Sequence, residues 1–318
     1  MNTLTQQNPN ELVISETLPL DQNPAAVYLS GLRETGRRTQ KQSLDFMAGL
    51  LTGNANCFSC NWAGLRYQHT TAIRSMLNEV YKPATVNKML SALRGVLKQA
   101  YLLNQISADD YQRAIMVKSV EGSTLPRGRE LSSGEISALM QACEDDKTSA
   151  GIRDAAIIAV MYVGGLRREE VTALDIGDYD RETGKMIIRG KRQKERTAYL
   201  QNGAGRALED WLNIRGTLEG ALFLPVNKGG KITNRRMTNQ AIYNMLKKRA
   251  EEAGVSEFSP HDIRRTFVSD LLDAGADIAV ISKMAGHANV QTTARYDRRP
   301  EEAKRKAAGL LHVPYRGR

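Results

Sequence analysis

The sequence predicts a mainly α-helical protein with a small antiparallel β-sheet, built as two domains. Three observations carry that reading. Apolar residues recur at helical spacing across residues 22–118. Residues 119–130, SVEGSTLPRGRE, have the Ser, Gly, Pro and charge content of a linker. Beyond them, in 131–318, helical segments surround only two or three short strands.

Taken in order, residues 1–21 read as a disordered tail, polar and without a Lys or Arg before Arg33. Pro24 opens a helix through Val27, Leu29 and Leu32. Thr39 is placed to cap a second helix holding Leu44, Phe46, Met47 and Leu51. A third spans about Tyr67 to Tyr81. Pro83 suits the first position of a fourth, where Val86, Leu90, Leu93, Leu97 and Tyr101 form one stripe. Lys88, Arg94 and Lys98 fall elsewhere on that wheel, as a solvated face or a DNA-contacting one.

After the linker, Ser132 or Ser133 caps a helix through Ile136, Leu139 and Met140. Arg153 to Val163 is almost continuously apolar and predicts the buried centre of the second domain, ending at Gly164-Gly165. Met186–Arg189 and Thr197–Leu200 are the clearest strands, separated by the very basic tip GKRQKER. Residues 203–215 are helical, and Thr238 to Ala253 is an amphipathic helix preceded by Arg235 and Arg236 and opening on Asn239 and Gln240. From Ser259 the chain reads SPHDIRRTFVSDLLDAGADIAVISKMAGHANVQTTARY. His261 and Arg264 share a face at the start of a helix. Gly275, Asp277 and Gly286 punctuate the next one, His287 sits just past its end, and Asn289 caps a short helix carrying Tyr296. Residues 300–311, PEEAKRKAAGLL, predict a terminal helix.

Composition narrows the function classes. The 318-residue chain carries a net charge of +10, which favours a polyanionic partner. No run approaches the roughly 20 apolar residues of a membrane span, and the polar N-terminus lacks a signal-peptide pattern, so the expectation is cytoplasmic. The three cysteines, Cys57, Cys60 and Cys143, are too few for a disulfide framework. Cys57 and Cys60 form a CxxC near His69, but no second pair completes a metal site, so no metal is expected.

The unusual polar residues are Arg167, Lys191, His261, Arg264, His287 and Tyr296. Together they suit a phosphodiester. Two guanidiniums can grip non-bridging oxygens and remain charged at working pH. Fixed cations stabilise the charge that gathers on those oxygens in the transition state. A tyrosine with a free pKa of about 10 needs a base beside it before it can attack, and a histidine can supply one. A departing 5′ oxygen needs a proton, which Lys191 at the hairpin tip can deliver. Carboxylates are scattered and no Gly-rich phosphate loop is present, so no cofactor, Mg²⁺ or ATP is expected.

GGLRREEV at 164–171, IRGKRQKER at 188–196, SPHDIRRTF at 259–267, MAGHANVQTT at 284–293 and ARYDRR at 294–299 carry, in joint order and spacing, a resemblance to the tyrosine recombinases (integrases) across about residues 22–310. The resemblance implies a helical core-binding domain at 22–118 and a mixed catalytic domain at 131–318, closing as a C-shaped clamp on double-stranded DNA. It implies that Arg167 and Arg264 bind the scissile phosphate and that Lys191 is the general acid. His261 and His287 assist proton transfer and phosphate binding, Tyr296 forms the 3′-phosphotyrosyl bond, and Glu170 buttresses the first arginine. Arg192 stands where the family has Gly after the lysine, which leaves Lys194 as a rival acid. The helix at 238–253 resembles the family's major-groove helix, with Arg235, Arg236, Asn239 and Gln240 as DNA contacts. The terminal helix either docks on a neighbouring protomer or covers its own domain.

The expected activity is site-specific recombination by a homotetramer through a Holliday junction, integrating, excising or resolving DNA such as a mobile element. The alternatives are a type IB topoisomerase-like strand-passage enzyme and a catalytically idle DNA-binding protein. Neither the target sequence nor the biological setting is legible.

Overall fold

The computed structural model describes residues 12, 18–53, 56–122, 128–190, 195–287, 289–294, 296, 305, 308, 309 and 314. The chain divides into two compact units, Met1–Pro126 and Arg127–Arg318. The hairpin tip 191–194, with Lys191 and Lys194, and most of the expected helix 300–311 lie outside the described residues.

The first unit is helical: α1 (Pro24–Ser30), α2 (Glu34–Thr52), α3 (Tyr67–Val80), α4 (Pro83–Leu102) and α5 (Ala108–Ile115). Asn23 caps α1 by accepting from the backbone N–H groups of Ala25 and Ala26. The central α4 buries Val86, Leu90, Leu93 and Leu97 completely. Tyr101, at the far end of that stripe, is exposed and stacks on Tyr111 of α5 with centroids 4.9 Å apart. Gly95 lets α1 approach: a Cβ there would stand 2.3 Å from the Tyr28 ring. The second helix begins at Glu34, ahead of the Thr39 cap that the sequence suggests. Arg37, inside its first turn, donates to the carbonyls of Leu29 and Leu32 and so fastens the helix start to the end of α1. The described part of the expected tail includes Leu12, which packs on this core and whose carbonyl accepts from the Asn61 N–H at 2.8 Å.

The second unit holds α6 (Ser133–Asp145), α7 (Ser149–Val163), α8 (Arg168–Ala173), β1 (Tyr179–Asp180), β2 (Lys185–Arg189), β3 (Glu195–Tyr199) and α9 (Asn202–Arg215), then α10 (Asn239–Glu252), α11 (Pro260–Asp273), α12 (Ile278–Ala285) and α13 (Val290–Ala294). Ser132 is the α6 cap, paired with Glu135 in a capping box. The apolar α7 is the buried centre, as its composition requires, and packs against α6 and α9. The sheet runs β1-β2-β3, all antiparallel, with Met186 opposite Ala198 and Ile188 opposite Arg196. Met186 and Ile188 face the core, so the period-2 rule puts Arg196 on the inner face beside them.

Beneath this core a buried ion cluster ties α10 to the other helices. Arg249, 1% exposed, donates to Asp154 of α7 at 2.9 Å, to Asp146 at 2.6 Å and to Glu252 at 2.8 Å. Burying such charges costs free energy unless every partner is present, and here each oxygen facing the guanidinium is matched. No helix among the described residues is long and apolar enough to cross a membrane.

Candidate active site

The site assembles where α8, β3, α11, α12 and the turn after α13 meet. Each functional side chain sits at or near the end of an element, where backbone groups are still unpaired. Arg167 is the residue before α8, and the Gly164-Gly165 turn delivers it there. Gly165 has φ +56°, and a Cβ on it would stand 2.5 Å from the Phe267 ring, so only glycine fits. Its carbonyl accepts from Arg264 Nη1 at 2.6 Å.

Arg264 lies on α11, 2% exposed, and its Nη2 donates to the Ala285 carbonyl at the end of α12. One guanidinium thus joins the turn before α8 to the end of α12. Burial, reinforced by the neighbouring Arg167 charge, pushes Arg264 down to about 9, which still leaves it protonated at neutral pH. Its Nε is buried without a hydrogen-bond partner.

Glu170, on the first turn of α8, accepts from the Arg167 N–H and from Arg167 Nη1, both at 2.8 Å. It also receives both terminal nitrogens of Arg196, at 2.9 and 2.8 Å. Burial alone would raise this carboxyl, but the hydrogen bonds and charge of Arg196, with those of Arg167, hold it below the ordinary value.

His261, on the first turn of α11, places Nε2 3.5 Å from the Tyr296 hydroxyl. Burial, then the charges of Arg264 and Arg265, lower this histidine from its ordinary value. His287 follows Gly286, which closes α12 in the left-handed conformation at φ +63°. Its Nδ1 is 2.8 Å from Thr293 Oγ1, and its ring lies nearly parallel to that of Tyr296 with centroids 6.4 Å apart. Burial and the cations Arg264 and Arg167 push His287 down to about 4. The same surroundings favour the neutral form of both imidazoles.

Tyr296 is half-buried against the small cluster of Phe267, Val268, Leu272, Ile281 and Ala285. The Arg265 guanidinium lies over its ring, 5.4 Å from the centroid. The short helix expected to carry Tyr296 ends at Ala294, ahead of it. The tyrosine instead sits in the following turn, its N–H donating to the Thr293 carbonyl, which lets the ring depart from the helical track. Another tyrosine of this unit, Tyr199, is 54% exposed on β3.

Of the residues singled out from the sequence, Arg167, Glu170, His261, Arg264, His287 and Tyr296 converge here. Lys191 lies outside the described residues. The expected DNA contacts divide. Lys88, Lys98, Arg235 and Gln240 are exposed. Arg94 donates to the carbonyls of Ile115, the last residue of α5, and Val117 beyond it. Arg236 donates to the carbonyls of Thr172 and Leu174 and pairs with Asp175, capping α8. Asn239 accepts from the Thr172 hydroxyl at 3.0 Å. Arg94, Arg236 and Asn239 thus have internal partners. Arg196 joins the site without having been singled out from the sequence. Its signal lies in the strand period, which sets it on the same face as buried Ala198.

Among the described residues no group of three or more His, Cys, Asp or Glu side chains is placed to hold a metal ion. Cys57 and Cys60 are core side chains whose thiols burial pushes up to about 12.

Known proteins resemble this chain in sequence and in fold. A model of the phage integrase family matches residues 129–302. Tyrosine recombinase XerC of Corynebacterium efficiens is 33% identical over 217 residues, covering 67% of this chain and 66% of that protein. Tyrosine recombinase XerD of Pseudomonas putida is 29% identical over 287 residues, 87% of this chain and 91% of the relative. Among solved structures, the Tn1549 transposon integrase in complex with a circular intermediate DNA matches with a TM-score of 0.68 at 15% identity, over 92% of this chain and 99% of that one. At that identity the likeness is one of fold.

Proposed function

This chain belongs to the phage integrase family, the tyrosine recombinases, and on that premise we propose that it is a site-specific recombinase acting through a covalent tyrosyl–DNA intermediate. The observation that carries the reading is the Tyr296 hydroxyl 3.5 Å from His261 Nε2, with the buried Arg264 guanidinium among the charges that act on that histidine.

In the proposed reaction the Tyr296 oxygen attacks a backbone phosphorus and forms a 3′-phosphotyrosyl ester as the bond to the 5′ oxygen breaks. His261 accepts the phenolic proton. Arg167 and Arg264 hold the non-bridging oxygens, and their charge acts most strongly on the five-coordinate state. With Nδ1 of His287 accepting from the Thr293 hydroxyl, its Nε2–H is left to donate to the same phosphate. The 5′ oxygen leaves with a proton from Lys191 or Lys194. The ester conserves the phosphodiester energy, so rejoining to a second strand needs no nucleotide. Exchange of both strand pairs runs through a four-way junction held by a tetramer of this chain. Arg235, Lys88, Lys98 and Gln240, exposed and cationic or polar, support DNA contact.

The test uses the duplex that the full chain selects from a random-sequence library. A plasmid carrying two copies is expected to yield recombinant circles. Relaxation of supercoils without any need for two copies would make the chain a topoisomerase. Tight binding with neither product would make it a DNA-binding protein only.

A further inference from the structure

The geometry points to Arg196 as a positioning residue of the strand-cleaving site: a clamp that sets the Glu170 carboxylate, and through it Arg167, in one frame with the loop carrying His287. The inference rests on the recombinase reading above and concerns how that site is held ready.

Arg196 uses its whole fork. Nη1 and Nη2 grip the two oxygens of Glu170 at 2.9 and 2.8 Å, side by side. Nε donates to the Met284 carbonyl of α12 at 2.8 Å. The stem of the side chain runs under Gly286, where an added Cβ would stand 3.1 Å from Arg196 Cδ. Three elements therefore meet on one side chain: β3, α8 and the end of α12.

The two guanidiniums on Glu170 have different exposure. The Arg196 side chain is 9% exposed and that of Arg167 is 39% exposed. Arg196 is the enclosed partner that fixes the plane of the carboxylate. Arg167 is the outward partner, held by one terminal nitrogen and left with donors for a phosphate. Without Arg196, Arg167 would be the remaining guanidinium hydrogen-bonded to a buried carboxylate and would turn inward to neutralise it. The Met284 carbonyl would lose its donor at the same time, loosening the turn that presents His287.

The charged groups facing Glu170 are Arg167, Arg196 and, at longer range, Arg264. Removing Arg196 deletes the largest influence that lowers Glu170; Arg167 still lowers it and burial still raises it. The ionised carboxylate then competes with the phosphate for Arg167, and replacing it with an uncharged amide should release Arg167 and restore part of the rate. A side chain that only supports folding has no reason to be rescued in that way.

The test is single-turnover cleavage of a nicked duplex carrying the selected site, by the full chain, at about pH 8. Arg196→Ala should bind that duplex within about threefold of the unaltered protein and cleave it about 100-fold more slowly, a loss of the size expected for misplaced catalytic groups. Arg196→Lys, which keeps charge and most of the volume, should fold even if the alanine variant does not. It should cleave at least about tenfold slower because an ammonium cannot fork. Adding Glu170→Gln to either variant should recover part of the lost rate, at least about threefold. Cleavage by Arg196→Lys at the unaltered rate, or no recovery when Glu170→Gln is added, would overturn the inference alone. Absence of any adduct from the unaltered protein would overturn the recombinase reading and this inference with it.

Discussion

Replacing Gly165 by Ala puts the close packing of the site to a stability test. Two costs are visible. The residue holds φ +56°, a conformation that costs an L-residue roughly 1–2 kcal/mol. The new Cβ would also stand 2.5, 2.6 and 3.2 Å from three atoms of the Phe267 ring, which is itself 4% exposed in the cluster under Tyr296 and cannot swing aside. Overpacking of this kind costs about 1–3 kcal/mol. Together the second unit should lose roughly 2–5 kcal/mol. Because the Gly165 carbonyl anchors Arg264, a displacement of about 1 Å should also slow cleavage by about 100-fold. The assay is urea unfolding read from Trp211 in a Trp62→Phe background, which isolates the second unit. Gly177→Ala, where an added Cβ meets nothing within 4 Å, is the control and should change stability by less than about 0.5 kcal/mol. Destabilisation below about 0.5 kcal/mol for Gly165→Ala would refute the packing argument.

Arg264→Lys keeps the charge but cannot reach both the Gly165 and Ala285 carbonyls, and single-turnover cleavage should fall about 10²–10³-fold with DNA binding nearly unchanged. Retention of full cleavage would place the phosphate elsewhere. His261 must be neutral to accept a proton, and its surroundings lower it from 6.5, so the acid limb of cleavage should have its midpoint below 6.5. A midpoint above about pH 7 would point to a different base, and His261→Gln should abolish the acid limb. Arg249→Ala leaves Asp154 Oδ2 unpaired in the core, with Arg153 on the other oxygen only, and takes the guanidinium from half-buried Asp146; it should cost about 3 kcal/mol by the same Trp211 measurement. A loss under about 1 kcal/mol would mean that Arg153 and water suffice for these carboxylates.

Some layers of this molecule are legible in the sequence and others are hidden, for physical reasons. The helices α4, with its apolar stripe, and α7, apolar nearly all round, stand close to where the sequence sets them, because burying a stripe or a whole helix needs no information from distant residues. The caps at Ser132 and Asp277 are legible because capping is local chemistry within three or four residues. The polar set that converges on Tyr296 can be read because its members lie in short strings of fixed spacing. What escapes is pairing over long separations. Arg94, Arg236 and Arg196 look alike in sequence, as basic residues near DNA-facing elements. Their partners are 21 to 88 residues away in the chain, and only the folded units reveal which carbonyl or carboxylate each one meets. The start of α2 departs from the expected cap because Arg37 reaches back to the carbonyls of Leu29 and Leu32, a tertiary contact that an apolar period does not encode.

The most direct measurement traps the unaltered chain on its nicked duplex, digests the complex and maps the nucleotide-bearing peptide by mass spectrometry. A single phosphotyrosyl linkage is expected, at Tyr296, on the 3′ side of the break, and none in Tyr296→Phe although that variant still binds the duplex. A linkage at Tyr199 or any other side chain, or undiminished adduct in Tyr296→Phe, would contradict a reaction that begins at the Tyr296 oxygen.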